Sequence, residues 1–179
     1  MASILNVDQI NNAAGTSAVT LDPSTGKASF PNGANLPAGS VVQVQYRAVA
    51  NTGFSSTSAS MVDLTNWYVD ITPKFSNSIL VWQTSFSCNN LTVASYERYR
   101  IVDGLNSNTQ WSVNSYIGMS NYHTNATEWD ELALLHANSA GTTNAMRLQL
   151  QVQVNSSGTF SNGWSGSDTR IVMVMEIAQ

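Results

Sequence analysis

The sequence predicts an all-β protein: a C-terminal antiparallel β-sandwich of jelly-roll type, preceded by a small N-terminal hairpin arm. Two observations carry this prediction. Apolar and polar residues alternate with a period of two in segments roughly ten to fifteen residues apart, and Gly, Asn, Pro and Ser lie between them. Uncharged Ser, Thr, Asn and Gln fill most polar positions, which suits sheet faces exposed to water.

Composition narrows the classes of function. The chain has 179 residues, with seven Lys and Arg against eleven Asp and Glu, and its formal net charge is −4. Nucleic-acid binding and docking on anionic lipid both require clustered cations, so neither is expected. Hydrophobic residues make up 42% of the chain and charged residues 10%, a balance that argues against disorder. The opening MASILNVDQI lacks a basic segment, so we expect neither a secretory signal nor membrane insertion.

The first forty residues differ in texture from the rest. They hold three of the four prolines and, in TLDPSTGKASFPNG at residues 20–33, a short hairpin that turns at Pro23–Gly26. A lone hairpin is marginally stable in water. We therefore expect it to pack against its copies in neighbouring chains, and we predict two domains, an arm or shaft at residues 1–39 and a sandwich head at residues 40–179. The hairpin residues expected at this interface between chains are Val19, Leu21 and Phe30.

Four strands are predicted in the first half of the head. SVVQVQYRAV sets Val44 and Tyr46, on the expected core face, against polar neighbours. MVDLTNWYVDITP is a strand with a bulge near Thr65–Asn66, and it ends at Pro73, which cannot donate to a ladder. SILVWQTSFSC and SYERYRIVDG follow, and the lone cysteine, Cys88, is expected to be buried.

Two later strands have distinct patterns. In AMRLQLQVQVN the apolar residues Met146, Leu148, Leu150, Val152 and Val154 face inward, and Arg147, Gln149, Gln151 and Gln153 face outward. TRIVMVMEIA is apolar on both faces, which is typical of a strand covered on both sides. We expect the second cover to come from neighbouring chains. The residues of this strand predicted at the oligomer interface are Ile171, Met173 and Met175.

The segment EWDELALLHA at residues 128–137 fits two structures. Leu132, Leu135 and His136 fall at the spacing of a short helix, whereas Trp129, Glu131, Ala133 and Leu135 alternate as in a strand. The surrounding β structure favours the strand. Both alternatives are kept at this point.

The sequence offers little for catalysis or metal binding. The two histidines, His123 and His136, lie in separate segments, and the chain has no Gly-x-Ser-x-Gly elbow. DGLNSN at residues 103–108 lacks the ligand spacing of a calcium loop, so we predict a turn held by Asx hydrogen bonds. The protein is therefore expected to be no enzyme and to have no catalytic residues, no metal and no cofactor.

One acidic cluster deserves comparison with a known chemistry. Glu128, Asp130 and Glu131 could supply the two carboxylates that glycoside hydrolysis requires. Adjacent charges beside Trp129 are more typical of a solvated rim, which is the interpretation we adopt.

Three stretches resemble a single family of proteins. They are SILNVDQINNAAGTSAVTLDPSTGKASFPNGANLPAGSVVQVQY at the N-terminus, SMVDLTNWYVDITPKFSNSILVW after it, and the closing SDTRIVMVMEIAQ. The pattern is carried by Ile71-Thr72-Pro73, Ser78-Ile79-Leu80-Val81 and Met175-Glu176-Ile177. These stretches are similar to small bacteriophage virion proteins, often from marine phages or cyanophages, that are labelled tail fibre or structural protein. None of the shared motifs is catalytic.

This resemblance implies a function. It suggests a homotrimeric short tail fibre or spike in the virion, assembled in the cytoplasm of the bacterial host, with the arm attached to other virion proteins and the head contacting the host surface. The alternative is a capsid decoration protein, that is, a head fibre or cement protein. A carbohydrate-active enzyme is a more distant alternative. The implied partners are copies of the chain, other virion proteins and a host carbohydrate, without nucleic acid.

Aromatic residues among amides and glycines are the candidates for host contact. Sugars stack on aromatic rings, and amides bind their hydroxyl groups. We expect Trp164 and Trp129 to make such contacts, with Tyr122 and Asn125 as polar helpers. Burial in the core or in a trimer interface is the alternative for both tryptophans, as it is the expectation for Trp67 and Trp82.

Overall fold

The protein is described from a computed structural model, in residues 9–11, 14–15, 17–29, 36–50, 53–90, 95–112, 121–123, 129–154, 159–162 and 169–179. For residues 18, 29, 90, 95 and 121–123 the backbone alone is described. Every regular element in these ranges is a strand: β1 Gln9–Asn11, β2 Ser17–Leu21, β3 Ala28–Ser29, β4 Val41–Ala50, β5 Phe54–Ser56, β6 Val62–Ile71, β7 Ile79–Asn90, β8 Ser95–Asp103, β9 Thr109–Gln110, β10 Asn121–His123, β11 Asp130–Ser139, β12 Met146–Val154, β13 Phe160–Asn162 and β14 Thr169–Ile177. The all-β prediction is confirmed. For the segment at residues 128–137, the strand and not the short helix is present, as β11. Within the same ranges, no helix is long and apolar enough to cross a membrane.

The chain forms two compact units, Met1–Leu36 and Pro37–Gln179. In the first unit, β1, β2 and β3 form an antiparallel sheet in chain order. The hairpin expected from the sequence is β2–β3, and Asp22 holds its turn, because Asp22 Oδ1 accepts the N–H groups of Thr25 at 2.9 Å and Ser24 at 2.8 Å. These two bonds lower the pKa of Asp22. The sequence does not predict β1, since three residues are too few to show a period.

The second unit has the strand order of a jelly roll. Eight of its strands form two antiparallel layers, ordered β4–β14–β7–β11 and β6–β12–β8–β10. When these eight strands are counted along the chain, the orders are 1-8-3-6 and 2-7-4-5, so the first strand lies beside the last, as in two interlocked Greek keys. The short β5 and β13 extend the first layer, and β9 pairs with β8 in the second. The predicted sandwich is therefore confirmed.

The core lies between the two layers. Trp67 and Trp82 are buried there, as predicted, and Cys88 is a buried free thiol on β7. A chain of edge-to-face ring contacts crosses the core, with centroid distances of 5.0 Å between Trp67 and Phe86 and 5.7 Å between Phe86 and Tyr99. Such pairs add about 0.5–1.5 kcal/mol beyond the burial of their area. The inward residues predicted for β12 are all buried.

A buried carboxylate ties one end of the sandwich together. Glu176 lies on β14 with no exposed surface. Its oxygens accept hydrogen bonds of 2.6–3.0 Å from four donor groups. These are the backbone N–H groups of Lys74 and Phe75, the hydroxyl of Ser78 and the Nε2 of Gln43. Burial by itself raises the pKa of Glu176, but the bonds from Gln43, Lys74, Ser78 and Phe75 outweigh it and hold this pKa below its ordinary value of 4.5. The carboxylate thus joins β14, β4 and the β6–β7 turn.

The predicted bulge in β6 is present, and one side chain satisfies it. Residues Leu64–Trp67 lie opposite the single residue Leu150, and Asn66 has a φ of 68°. The bulge leaves backbone carbonyls without ladder partners. Gln149 Nε2 donates to the carbonyls of Leu64 at 2.9 Å, Leu150 at 2.9 Å and Trp67 at 3.3 Å. Gln149 is buried for this reason, and the predicted alternation of β12, which places it on the outward side, does not indicate this burial.

Gln151, another outward-facing residue of β12, is also buried. Its Nε2 donates to Asp63 at 2.7 Å and its Oε1 accepts from Arg100 Nε at 2.7 Å. Long side chains on the outside of this layer bond to one another and cover the amide. Alternation identifies the side of the sheet on which a residue lies, but not its contact with water.

The two faces of β4 are the reverse of the prediction. Val44 is 45% exposed and Tyr46 70% exposed, so this apolar row faces outward. The opposite row faces the second layer, where Gln43 reaches the buried carboxylate and the guanidinium of Arg47 lies 4.2 Å from the centre of the Tyr68 ring. Polar side chains with specific partners occupy the inner side of this edge. Hydrophobicity alone therefore selects the wrong face.

We predict that Glu176→Gln destabilises the protein by roughly 3 kcal/mol, because hydrogen bonds to a charged acceptor are lost and buried donors are left without an acceptor. Urea denaturation at neutral pH measures this change. Since the folded pKa of Glu176 is lowered, its contribution to the free energy of unfolding is complete above the unfolded pKa and is lost as the pH falls through the folded pKa. The free energy of unfolding of the variant should therefore fall less than that of wild type when the pH is lowered.

Asp70→Asn is the matched control. Asp70 forms an exposed ion pair with Arg147 at 2.7 Å, and such pairs contribute roughly 0–1 kcal/mol. Equal stability of Glu176→Gln and wild type, with the same acid profile, would contradict the structural role of the buried carboxylate.

Candidate interaction surface

The side of the β4–β14–β7–β11 layer that points away from the core is almost wholly apolar. We call it the outer face and define it by the outward-pointing residues of the four strands: Val44, Tyr46 and Ala48 on β4, Ile171, Met173, Met175 and Ile177 on β14, Ile79, Val81, Gln83 and Ser85 on β7, and Ala133, Leu135, Ala137 and Ser139 on β11. None of these residues is charged, and the outward row of β11 begins with the charged Glu131 at the margin of the face. The inward-pointing residues between them, such as Trp82 and Val174, form the core.

Large apolar side chains of the outer face are open to solvent. Tyr46 is 70% exposed, Leu135 69% and Ile171 54%. Single exposed hydrophobic residues are ordinary, but a contiguous patch marks a surface that binds another molecule. The fully buried centres of protein interfaces are depleted in charge and enriched in aromatic residues and Met. The outer face shares the depletion in charge and contains Met173, Met175 and one aromatic residue, Tyr46.

Charged groups lie at one margin of the outer face and neutralise each other. Arg170 forms an ion pair with Glu131, in which one guanidinium nitrogen bonds Glu131 Oε1 and the other lies 3.2 Å from Oε2. Ser87 joins them, since its hydroxyl donates to Glu131 Oε2 at 2.9 Å and accepts from Arg170 at 3.0 Å. Glu131 of the predicted acidic cluster is therefore part of an ion pair at the rim of the sheet.

The predicted interface residues of β14 lie on the outer face. Ile171 is exposed, and Met173 and Met175 are half-buried. Within one chain the outer side of this strand is open, and its cover by neighbouring chains stays a prediction. In the N-terminal unit, Val19 and Leu21 are half-buried on β2, and Phe30 lies outside the described residues.

The strand order gives the position of two host-contact candidates. Tyr122 is on β10 and lies opposite Tyr96, at the beginning of β8. Trp129 immediately precedes β11, and the first residue of β11 lies opposite Cys88, near the end of β7. Both positions are at the end of the sandwich away from the buried carboxylate, and Trp129 is half-buried. Trp164 and Asn125 lie outside the described residues.

Other candidates for chemistry have structural roles. Asp103 holds a turn, as predicted, by accepting the N–H of Leu105 at 3.1 Å. His136 packs edge-on against the buried Trp111, with centroids 5.4 Å apart, and burial lowers the pKa of His136. In the part of the chain that the structure describes, no three His, Cys, Asp or Glu side chains come close enough to hold a metal ion.

Sequence reasoning missed most of the outer face. It identified the residues of β14 but placed Tyr46 in the core and assigned no role to Leu135. The signal for Leu135 is an apolar residue in the alternation Glu131, Ala133, Leu135, which faces away from the buried Leu132 and Leu134. Recognising that these strands share one face requires the strand order, which the sequence does not contain.

The known proteins that resemble this chain are distant from it. No protein-family model matches the chain, and no curated protein matches it. Among solved structures, that of the infectious bursal disease virus Gt strain has a TM-score of 0.45 and 10% sequence identity, over 90% of this chain and 42% of that one. The T=1 particles derived from this virus give 0.45 and 12%, over 90% and 40%. Its T13 particle gives 0.45 and 13%, over 90% and 40%. This chain thus spans less than half the length of each of these capsid chains.

We expect Leu135→Lys and Tyr46→Lys each to abolish self-association without unfolding the head, because a lysine ammonium cannot be buried unpaired in an apolar contact. Wild type is expected to sediment as a trimer at micromolar concentration, and both variants as monomers, with circular dichroism and melting temperature close to wild type. Leu105→Lys is the control, since Leu105 is 54% exposed on the β8–β9 turn, away from the outer face. A stable wild-type monomer would rule out this use of the face.

Proposed function

We propose that the protein is a structural component of a bacteriophage particle: a homotrimeric short tail fibre or spike whose N-terminal unit attaches it to other virion proteins and whose head contacts the host surface. It acts by binding and assembly, without catalysis. A jelly-roll order is shared by viral capsid and lectin domains, so the fold by itself is no argument for one function.

The outer face is the observation that supports this proposal best. Four strands present a continuous uncharged surface that includes Tyr46, Leu135 and Ile171. A protein that assembles needs such a surface, because burial of apolar area drives association. Each apolar residue that leaves water there gains about 25 cal/mol per Å² before the costs of association.

The residues on which the family resemblance rests give a second line of support for the proposal. Ile71-Thr72-Pro73 leads into the turn whose N–H groups bind Glu176, and Glu176 is the centre of the closing Met-Glu-Ile. Ser78, the first residue of the shared Ser78-Ile79-Leu80-Val81 motif, donates its hydroxyl to the same carboxylate at 2.8 Å. The shared residues meet in one structural network. This is the arrangement expected if the family is related by its fold and not by a catalytic site.

Host contact is proposed at the loop end that carries Tyr122 and Trp129. The strand β4 begins at the other end of the sandwich, where Gly39 N–H donates to Ala178 at 2.8 Å. Attachment and recognition would then use opposite ends of the head. Loops supported by a rigid sheet are common positions for binding residues.

Deletion of residues 1–36 tests the attachment role. We expect the remaining head to keep its β circular dichroism and outer face, because the contacts of β4–β14 are formed within Pro37–Gln179. Particles assembled with the truncated chain should lack it, as measured by mass spectrometry of purified virions. Failure of the head to fold would contradict the proposed division of roles. The number of wild-type copies per particle decides between the alternatives: few for a tail fibre, and enough to cover the capsid lattice for a decoration protein.

Trp164→Ala and Trp129→Ala should each reduce adsorption of particles to host cells, because a stacking surface for sugar rings is removed. Adsorption rate constants measure this effect, and the trimer yield and melting temperature should stay near wild-type values. Tyr96→Ala is the control for a ring near the same end that has no proposed ligand. If the tryptophan variants lose the trimer or melt early, these residues pack, and normal adsorption with intact trimers would favour the decoration role.

A further inference from the structure

One row of residues crosses the whole outer face. Met173 on β14 lies opposite Tyr46 on β4 and also opposite Gln83 on β7, and Gln83 lies opposite Leu135 on β11. The row therefore begins and ends with large exposed side chains, Tyr46 at the β4 edge and Leu135 at the β11 edge. These two edges differ in what lies beside them.

A groove occupies the β11 side of this row. It has a volume of about 630 Å³, and its floor and walls include Gln83, Ser85, Ala133, Leu135, Ile171 and Met173. It opens where the pairing of β14 with β7 ends, at Val172 opposite Thr84, since beyond that point β7 pairs with β13 instead. Arg170, held by Glu131, closes one end of the groove. The groove thus combines apolar side chains, among them Leu135, Ile171 and Met173, with the polar groups of Gln83, Thr84, Ser85, Thr169 and Arg170.

We propose that Tyr46 of each copy packs into this groove of the next copy, so that three copies close a ring around a threefold axis. The inference rests on the proposed homotrimer and specifies its contact. In a ring, each chain uses two different surfaces, and the β4 edge and the groove supply them. A tyrosine suits the groove, because its ring fills the apolar part while its hydroxyl can reach a polar partner at the end.

The extent and charge of the face favour a second copy of the chain as the occupant. Four strands about 4.8 Å apart and ten residues long cover roughly 600 Å², and a ring divides this area between two contacts on each chain, so that the whole face is covered once the ring closes. Each copy has a net charge of −4, so copies repel each other over most of their surface. The uncharged outer face is where two of them can approach at the smallest electrostatic cost.

A disulfide between two introduced cysteines tests the contact in the full-length protein. Tyr46→Cys and Ala133→Cys are combined in one chain, while the native Cys88 stays buried and unreactive. Within one chain the two positions are separated by β14 and β7, about 14 Å at the usual strand spacing, which exceeds the ~7 Å limit between Cα atoms for a disulfide. Any bond between them therefore joins different chains.

The expected result is a covalent trimer on a non-reducing gel for the double variant. An equimolar mixture of the two single variants should give covalent dimers as the principal product. Tyr46→Ala should raise the concentration at which the trimer dissociates by at least about tenfold, as expected for an aromatic residue at the centre of an interface. Leu105→Cys combined with Ala133→Cys is the control and should give no cross-link.

Other outcomes overturn the inference in distinguishable ways. Covalent dimers at most from the double variant would indicate a twofold contact in which two faces exchange their tyrosines. A trimer by sedimentation without any cross-link would exclude this contact but leave the virion role intact, with the outer face covered by another segment or partner. A wild-type monomer would remove the trimer itself, and with it the proposed form of the virion component.

Discussion

The Glu176 carboxylate is the interaction on which the arrangement of the head depends. In a jelly roll, the last strand must enter between the first and the third, and the chain must cross from one layer to the other after the second. Glu176 accepts bonds from the first strand through Gln43 and from the crossing turn through Lys74 and Phe75. Its position fixes the register of β14. That register in turn determines that Val172 and Val174 point into the core while Ile171 and Met173 point outward.

The sequence predicts the class of the fold well and its faces unevenly. Where a strand has one polar and one apolar face, as at the even positions of β12, alternation is enough. It fails for Gln149, because the need for a donor arises from carbonyls in another strand, Leu64 and Trp67, that only the folded chain brings near. It also fails at β4, where the half-buried Arg47 packs against Tyr68 and Tyr46 is open to water.

The same distinction applies to the candidate surface. The doubly apolar β14 already predicts an interface in the sequence, because no strand in a single sandwich needs two hydrophobic faces. The contributions of Tyr46 and Leu135 depend on the order β4–β14–β7–β11, which connects residues far apart in the chain. For host contact, the residue types can be read from the sequence. Only the strand order shows that Tyr122 and Trp129 lie at the same end of the sandwich. Each kind of information is insufficient without the other.

The position of β14 in the chain also bears on the time at which the head becomes competent to assemble. The bond between Gln43 and Glu176 joins residues 133 positions apart, and such distant contacts form slowly. During synthesis, β4, β7 and β11 leave the ribosome before β14 exists, so the centre of the outer face is missing from every incomplete chain. A nascent or truncated polypeptide that ends before residue 169 lacks the strand that joins the β4 edge to the rest of the layer. In the proposed trimer, entry is thereby restricted to chains whose translation has passed β14.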